Sequence, residues 1–406
     1  MQNHTNSCQP LASWVSKPDA LKQYTLIIVT SPIDFETLAL ITTYGQQYMV
    51  PVFYLHSVGF YSHFSVALPP AFPIVDTHPD PASTTDLRLL RPWPSLTQFA
   101  RSKTANLSSM SAHELGHVPY VLLLLHFLEE WKQTHSGNPP SSYKEKTEFR
   151  EYVRNAGPPD EENFAEAAGA VLKSLNPPTP SSSVLAVLNA PEAQNISSES
   201  QSFWFIARAV YQFYQEQGVL PLPGAVPDMK AQSADYITLQ NLYKAKSKED
   251  ATRVSLIVRD LETQHQRPDT LRTPVSEIEQ FCKGAAHIKL VRGRSTPLLQ
   301  ACEPLKWNTE SAKSVYNALM MPDSGALIYI AFLAYDNFVG THNRGSFGSE
   351  PRVPGSNDME LDADSDKVAA TACTILDAAI TAAGSFLENP MYDETKESLD
   401  KICREM

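Results

Sequence analysis

Hydrophobic residues have one spacing in the N-terminal part of the chain and another spacing further on. The N-terminal spacing predicts a small α/β region. Residues 24–29 read Tyr-Thr-Leu-Ile-Ile-Val, a short β-branched run that is typical of a buried strand in a mostly parallel sheet. A helix is predicted over residues 34–47, and two more strands over residues 50–56 and 60–68. The proline-rich stretch 69–94 then leads the chain away from the sheet.

From about residue 118 onward, the apolar residues recur at helical spacing instead. Residues 203–214 carry apolar side chains at i, i+3, i+4, i+7, i+10 and i+11, which predicts an amphipathic helix. Residues 118–131 are apolar on most faces, and Pro119 stands near the first helical position, where a missing N–H costs nothing. We therefore predict a core helix there and a helical middle part of the chain.

The C-terminal part changes composition again. Residues 340–366 are rich in Gly, Ser, Asp and Pro, which predicts an exposed acidic linker, and the alanine-rich residues that follow predict one more helix. We therefore predict an α/β chain with four segments. These are a partial α/β domain over residues 1–117 whose N-terminal part is missing, a helical domain over 118–339, the acidic linker over 340–366, and a C-terminal helical segment over 367–406.

Composition and charge narrow the class of protein. The chain has 406 residues and a net charge of −12, so its field repels phosphate backbones and anionic lipid. We expect neither nucleic acid nor a membrane as a partner. The five cysteines form no Cys-x-x-Cys pair, and the N-terminal residues lack the basic start and apolar stretch of a secretory signal. These features favour a cytoplasmic or nuclear protein.

One stretch matches a metal-binding motif. His113, Glu114 and His117 fit the pattern in which two histidines one helical turn apart bind Zn²⁺ and a glutamate acts as general base. That geometry requires a helix through both histidines. Pro119 disfavours the α conformation just beyond His117, and no third-ligand motif follows. A loop before a helix start is the favoured interpretation, and a zinc hydrolase is the alternative.

Other candidate chemistry is weaker. The alternating acidic residues between 358 and 366 lack the glycine and glutamate positions of a calcium loop, so a solvated linker is predicted. Cys282 has His287 and Arg292 nearby in sequence, which can lower a thiol pKa, although a cysteine on an apolar helix face is more common. No glycine-rich phosphate loop occurs. No catalytic, cofactor-binding or metal-binding residue is therefore assigned.

Several segments, in the same order along the chain, carry a family resemblance. Residues 143–150 read Tyr-Lys-Glu-Lys-Thr-Glu-Phe-Arg, and residues 158–164 read Pro-Pro-Asp-Glu-Glu-Asn-Phe. Together with residues 74–80, 202–209 and 237–243, they closely resemble the regulatory subunits of heterodimeric neddylation-activating enzymes. These enzymes are relatives of the ubiquitin-activating enzyme, and so many ordered matches are far more specific than any single motif.

The resemblance implies a fold and a role. In such a heterodimer the catalytic subunit holds ATP, Mg²⁺ and the acceptor cysteine, while the regulatory subunit is its inactive counterpart. For this chain, the resemblance therefore implies a truncated, Rossmann-like, adenylation-type sheet that is inactive, followed by a mainly helical domain. The implied partners are the catalytic subunit and, indirectly, the NEDD/Rub ubiquitin-like modifier that this partner adenylates and charges as a thioester.

The resemblance also identifies a partner-contact segment at residues 228–241. The residues that keep the family identity are the predicted partner-binding residues: Asp228, Met229, Ala231, Ser233, Tyr236, Ile237, Leu239, Gln240 and Asn241. Met229 and Tyr236 are the expected anchors, because methionine and tyrosine bury large adaptable or aromatic surface. Ordinary packing within their own helix is the alternative for Tyr236 and Leu239.

Both ends of the sequence depart from the family, whose members have a longer α/β portion and close the sheet with later strands. We therefore expect a truncated gene model or a degenerate copy. The predicted function is that of a non-catalytic regulatory subunit in protein neddylation. A structural helical adaptor that has lost the activating function is the alternative from another class.

Overall fold

The structure is a computed structural model that describes residues 14–15, 24–30, 33, 35–79, 86–158, 160–177, 179–293, 307, 309–321, 324–342, 358–384 and 389–406. The chain divides into two compact units. Residues 1–72 and 291–406 form unit 1, and residues 73–290 form unit 2. In sequence, unit 2 is thus a continuous insertion between the two parts of unit 1.

Unit 1 begins with a small sheet and one helix, as the hydrophobic runs predict. The elements are strand β1 (Ile27–Val29), helix α1 (Phe35–Gln47), strand β2 (Val52–Val58) and strand β3 (Tyr61–Ala67). β1 pairs in parallel with β2, and β2 pairs with β3 in the antiparallel direction, so the sheet has the order β1-β2-β3. The positions of the predicted strands and helix are confirmed. β1 is shorter than predicted and is not buried on both faces, because Ile28 is 55% exposed. The sheet is mixed, whereas the sequence predicts a mostly parallel one.

A tight turn at Gly59 sets the register of the β2–β3 hairpin. Gly59 has a φ of +56°, and a Cβ atom at this position would lie 2.5 Å from the backbone oxygen of Glu405. In the resulting register, His56 of β2 is directly opposite His63 of β3. Because opposed residues in antiparallel strands share a face, His56 and His63 lie on the same side of the sheet.

Unit 2 is helical, with a short pair of strands at the two ends of its sequence. Strands β4 (Phe72–Val75) and β5 (Ile288–Val291) pair with each other. The helices between them are α2 (Pro94–Thr104), α3 (Ala112–Leu115), α4 (Tyr120–Thr134), α5 (Tyr143–Ala156), α6 (Glu162–Ser174), α7 (Ser182–Leu188), α8 (Pro191–Gln194), α9 (Ser202–Gln217), α10 (Ser233–Gln264) and α11 (Val275–Lys283). Short 3₁₀ helices occupy Leu107–Ser109, Asp269–Leu271 and Ala285–His287.

The core of unit 2 forms around α4, at the position where the sequence predicts a core helix. Pro119 is the N-cap residue of α4, and 9 of the 15 residues of this helix are buried. Phe149 of α5, Phe164 of α6 and Tyr243 of α10 join the same hydrophobic cluster. The prediction of a core helix after Pro119 is therefore confirmed.

Helix α9 confirms the second helical prediction. Its side chains Ile206, Ala207 and Val210 are fully buried, as the spacing of the apolar residues requires. The helix ends at Gly218, whose φ of +66° is a left-handed conformation that glycine adopts without steric cost. The apolar spacing and the terminal glycine therefore define this element locally.

Further helices of unit 1 follow unit 2 in sequence. They are α12 (Thr309–Leu319), α13 (Ala326–His342), α14 (Asp358–Ala382) and α15 (Asn389–Glu405). α13 packs against α14 and α15 and also touches α1 and β3. The units therefore have other boundaries than the predicted segments, in which the helical domain extends to residue 339. The apolar sequence of α13 predicts that this helix is buried. It does not predict in which of the two units the helix packs.

The segment predicted as an acidic linker is helical at its C-terminal end. Residues 358–366 form the first turns of α14, and residues 343–357 lie outside the described residues. Asp364 is buried and lies 3.2 Å from Lys367, while Asp366 lies 2.8 Å from Arg404 of α15. The prediction of a linker is wrong for this part, because residues 358–366 are helical and Asp364 is buried, while Asp362 and Asp366 are exposed.

The described part of the chain is thus an α/β protein with small sheets and a large majority of helix. Its hydrophobic residues form separate clusters in the helical unit and in unit 1. Among the helices that the structure describes, none has both the length and the apolar content needed to cross a membrane.

Candidate partner-binding surface

The segment 228–241 consists of an irregular stretch followed by the first turns of α10. Residues 228–232 have no regular structure, and the helix begins at Ser233. An α-helix has about 3.6 residues per turn, so neighbouring positions point to different faces. The predicted partner-binding residues are consequently divided between an inner and an outer face.

Residues on the inner side belong to the core of unit 2. Leu239 is fully buried, and Met229 is 8% exposed and lies in the same cluster. Tyr236 is half-buried against this cluster, as is Ala231, and the Tyr236 hydroxyl group donates to the backbone oxygen of Pro227 at 3.4 Å. Met229 therefore anchors the segment to its own unit and is not available as a surface anchor. The complete burial of Leu239 agrees with the alternative interpretation of ordinary packing.

Residues on the outer side are open to solvent. Ser233, Ile237 and Asn241 recur at every fourth position of α10, and all three are exposed. We call these three residues the α10 stripe. Ile237, at its centre, is 55% exposed. Asp228 is also exposed, and Gln240 is half-buried.

Hydrogen bonds hold the irregular stretch in front of the α10 stripe. The Gln232 N–H donates to the carbonyl oxygen of His117 at 2.9 Å. The Lys230 N–H donates to both carboxylate oxygens of Glu166, at 3.2 and 3.1 Å. These hydrogen bonds attach the backbone before α10 to His117, which precedes α4, and to Glu166 of α6. The position of the α10 stripe on unit 2 is therefore fixed.

The charges around this stretch are compensated within unit 2. Lys103 Nζ lies 2.6 Å from Asp235 Oδ1 in the first turn of α10. Burial raises the pKa of Glu166, although the Lys230 N–H opposes this shift. Because these charges have local partners, the apolar side chain of Ile237 is the main feature that the stripe offers to another protein.

His113 and Glu114 lie in the capped one-turn helix α3, where the sequence predicts a loop, and His117 follows this helix in a turn. No continuous helix runs through both histidines, as the zinc motif requires. The Glu114 N–H donates to Ser111 Oγ at 3.3 Å, and the Glu114 carboxylate accepts the Ser111 N–H at 2.9 Å. His117 Nδ1 lies 2.6 Å from the carbonyl oxygen of His113. The Ser111 hydrogen bonds also lower the pKa of Glu114, which is the opposite of what a general base at neutral pH needs. The prediction that both histidines precede the start of α4 is confirmed.

This capping box leads to a stability prediction. Ser111→Ala is expected to lower the free energy of unfolding by about 1 kcal/mol, because α3 loses its N-cap acceptor. Urea unfolding followed by circular dichroism measures the change. The control is His113→Ala on the same turn, whose side chain takes no part in the cap, with an expected change within about 0.5 kcal/mol. Equal changes in the two variants would argue against the cap.

Cys282 is a core residue of α11. Its side chain is 1% exposed, and burial raises the pKa of its thiol to about 12, with Asp250 and Glu279 acting in the same direction. A thiol with such a pKa stays protonated at neutral pH and is a poor nucleophile. The structure therefore contradicts the alternative in which Cys282 is an activated nucleophile.

Comparison with known proteins identifies relatives of this chain. It is 32% identical over 331 residues to the NEDD8-activating enzyme E1 regulatory subunit of Xenopus laevis. It is 34% identical over 281 residues to the subunit of the same name from Danio rerio, and 32% identical over 367 residues to the regulatory subunit AXR1 of Arabidopsis thaliana. The chain is a relative of the NEDD8-activating enzyme E1 regulatory subunits.

The relationship extends over most of this chain but over a smaller share of its relatives. The three alignments cover 79%, 67% and 89% of this chain, and 60%, 51% and 64% of the respective relatives. The chain therefore spans between half and two thirds of the length of these regulatory subunits. No protein-family model matches it. The resemblance identified from the ordered segments is nevertheless confirmed.

This relative of the E1 regulatory subunits also contains a group that sequence reasoning missed. Within the described residues, the metal-ligating side chains that are close enough to share one ion are His56, His63 and Asp336. A hairpin with its turn at Gly59 places the two histidines opposite each other, so the predicted strands contained a usable signal. Asp336 comes from α13, and no local pattern connects it with the hairpin.

Proposed function

We propose that this chain is the non-catalytic regulatory subunit of a heterodimeric NEDD8-activating enzyme. In this role it binds the catalytic subunit and supports ATP-dependent adenylation and thioester charging of the modifier. The observation that carries the proposal is the identity of 32%, 34% and 32% to proteins of that name over 79%, 67% and 89% of this chain. We expect ATP and Mg²⁺ to bind to the catalytic partner, and the complex to act in the cytoplasm or nucleus.

The α/β part of unit 1 is compatible with an adenylation-type sheet. β1, α1 and β2 form two parallel strands joined by a helix, which is the repeating element of Rossmann-like folds. We infer that these elements are part of such a sheet. Residues 30–34 between β1 and α1 read Thr-Ser-Pro-Ile-Asp, without the glycines that bring a backbone close to a phosphate. This composition is in keeping with nucleotide binding by the partner.

The α10 stripe is the exposed part of the contact segment that carries a large apolar side chain, Ile237. An exposed apolar side chain with small polar neighbours has the composition of an interface anchor and its rim. The hydrogen bonds to His117 and Glu166 fix the preceding backbone before binding, which reduces the entropy lost on association. Single exposed apolar residues are also common on protein surfaces, so the role of Ile237 requires a matched control.

We expect Ile237→Asp to weaken binding of the catalytic subunit at least about tenfold, because the complex would bury a carboxylate without a partner. Leu256→Asp is the matched control, since Leu256 lies on the same helix, is equally 55% exposed, and stands outside the contact segment. Titration of each variant with the catalytic subunit in a calorimeter measures the affinity. If both variants bind equally well, the α10 stripe is not the contact surface.

Modifier-dependent ATP–pyrophosphate exchange tests the activity itself. We expect the co-expressed complex of this chain with a NEDD8-activating catalytic subunit to exchange pyrophosphate only when the modifier is present. A complex that forms without exchange would contradict the activating role and favour a structural adaptor. Failure of the two chains to co-purify would contradict the proposal as a whole.

A further inference from the structure

Three potential metal ligands meet on one face of the sheet in unit 1. His56 of β2 and His63 of β3 are directly opposite each other, and Asp336 of α13 lies against them. All three ligand atoms lie within 4.8 Å of one another. His56 Nε2 is 3.0 Å from Asp336 Oδ1, and the Tyr54 hydroxyl group donates to the same oxygen at 3.2 Å. Two side chains of β2 therefore meet a single carboxylate oxygen of α13, and His63 of β3 lies close by.

The cluster is buried, yet its imidazole nitrogens lack hydrogen bonds. The side chains of His56 and Asp336 are 1% and 6% exposed. The contact between them has the distance of an ion pair but not the angles of a hydrogen bond, so neither ring nitrogen of His56 has a hydrogen-bond partner among the described residues. The same is true of Nδ1 of His63. Each buried polar group without a partner costs about 1–3 kcal/mol, and a metal ion would remove that cost for the one nitrogen of each ring that binds it.

The donor set and its spacing suit Zn²⁺. Zinc binds imidazole nitrogen and carboxylate oxygen at about 2.0–2.2 Å in tetrahedral geometry, which places neighbouring ligand atoms about 3.3 Å apart. The 3.0 Å between His56 Nε2 and Asp336 Oδ1 is close to this spacing. The three ligand atoms lie within 4.8 Å of one another, so the set has to contract when it binds one ion.

The surroundings shield the cluster. The ring of Phe332 lies 5.0 Å from the His56 ring and 5.2 Å from the His63 ring, measured between centroids. The Tyr54 hydroxyl group orients the carboxylate of Asp336 from outside the ligand set. Three protein ligands leave the fourth tetrahedral position of the ion to a water molecule. The aromatic enclosure limits the access of a substrate to that position, which favours a stabilising role of the ion over a catalytic one.

We propose that His56, His63 and Asp336 bind one Zn²⁺ ion that ties the β2–β3 hairpin to α13. His56 and Asp336 are 280 residues apart in sequence (336 − 56), so the ion closes a very long loop of the chain. Because the ligands come together only in the folded state, zinc binding adds to the stability of unit 1. This inference does not depend on the proposed function.

The metal content of the untagged full-length protein tests the proposal. After dialysis against metal-free buffer, we expect elemental mass spectrometry with an inductively coupled plasma to find about one zinc ion per chain. A chelator is expected to lower the melting temperature, and added Zn²⁺ to restore it. Replacement by Co²⁺ is expected to produce the visible absorption of a tetrahedral site. Protein without zinc, whose melting temperature does not respond to Zn²⁺, would show a metal-free His–Asp network and overturn the proposal.

The variant His63→Phe tests whether the metal binds at this cluster, because phenylalanine keeps an aromatic ring and removes the ligand nitrogen. We expect its zinc affinity to fall at least about 100-fold and its melting temperature to become independent of Zn²⁺. The control is His126→Phe, a partly exposed histidine beside Glu130 in unit 2, which is expected to keep the zinc. Zinc that persists in His63→Phe would place the metal elsewhere and overturn the assignment. If His63→Phe does not fold, Asp336→Asn is measured in the same way and decides the question together with the Co²⁺ spectrum of the wild type.

Discussion

Replacing Glu262 by alanine is expected to destabilise unit 2 by about 3–5 kcal/mol, because it leaves a buried positive charge without its counter-ion. The Glu262 side chain is 8% exposed and lies 3.8 Å from Arg267 Nε, whose own side chain is 3% exposed. Glu262 Oε1 also accepts the Thr273 N–H at 2.7 Å. Arg267 is held in place by the Ser200 carbonyl oxygen and by the ring of Phe205, with 4.3 Å from its guanidinium carbon to the ring centroid. These contacts keep the Arg267 guanidinium group buried after the Glu262 carboxylate has been removed.

The pH dependence of unfolding gives this prediction a second readout. Burial is the largest influence on Glu262 and opposes ionisation, but the Thr273 N–H and Arg259 together outweigh it, so the pKa of Glu262 lies below its ordinary value. Such a carboxylate contributes stability above its unfolded-state pKa of about 4.3 and loses it as the pH falls through the folded-state value. The stability difference between wild type and Glu262→Ala is therefore expected to shrink below about pH 4.

Glu249→Ala is the control for Glu262→Ala. Glu249 lies on the same helix and pairs with Lys246 at 2.8 Å, but its side chain is 70% exposed. Exposed pairs of this kind contribute less than about 1 kcal/mol. Urea unfolding at neutral and acidic pH, followed by circular dichroism, compares both variants with the wild type. A loss in Glu262→Ala no larger than that in Glu249→Ala would contradict the role of the buried network.

Phe149→Ala is expected to cost about 3–5 kcal/mol of unfolding free energy, since it removes an aromatic ring from the centre of a packed core. Phe149 is fully buried in the cluster of unit 2. Its ring meets Trp131 of α4 edge to face, with 5.5 Å between centroids and 83° between planes. Such pairs contribute about 0.5–1.5 kcal/mol beyond the area that they bury. The variant loses this pair and leaves a cavity between α4 and α5.

Tyr143→Ala on the same helix serves as the control for Phe149→Ala. Tyr143 is 76% exposed, so its truncation is expected to change the unfolding free energy by less than about 0.5 kcal/mol. Equilibrium unfolding in urea, monitored by tryptophan fluorescence because Trp131 contacts the lost ring, measures both variants. A loss below about 1 kcal/mol in Phe149→Ala would show that the core refills the cavity.

Local patterns predict the individual elements well. β2, β3, α4 and α9 follow from the spacing of apolar residues, because each must bury one face or its whole surface. The prediction fails over residues 358–366, where acidic residues form a helix. One partner of these residues, Arg404, is distant in sequence and contacts Asp366. Spacing alone cannot reveal such compensation.

In the contact segment 228–241 as well, the sequence identifies the residues, but contacts with distant residues determine which of them are exposed. The resemblance names its residues but does not assign them to faces. Met229 has the apolar surface of an anchor and yet lies in the core, whereas Ile237 is equally apolar and is exposed. The direction of α10 against the rest of unit 2 decides between the two positions, and it depends on hydrogen bonds from Lys230 and Gln232 to distant residues.

By itself, the sequence determines the α/β class, the core helix after Pro119 and the relationship to E1 regulatory subunits, because periodicity and ordered identities can be read without coordinates. Only the tertiary structure decides that Asp366 pairs with Arg404 and that Asp336 meets His56 and His63. The physical reason is that folding brings together side chains that are far apart in the chain. A contact across 282 residues leaves no trace in local spacing.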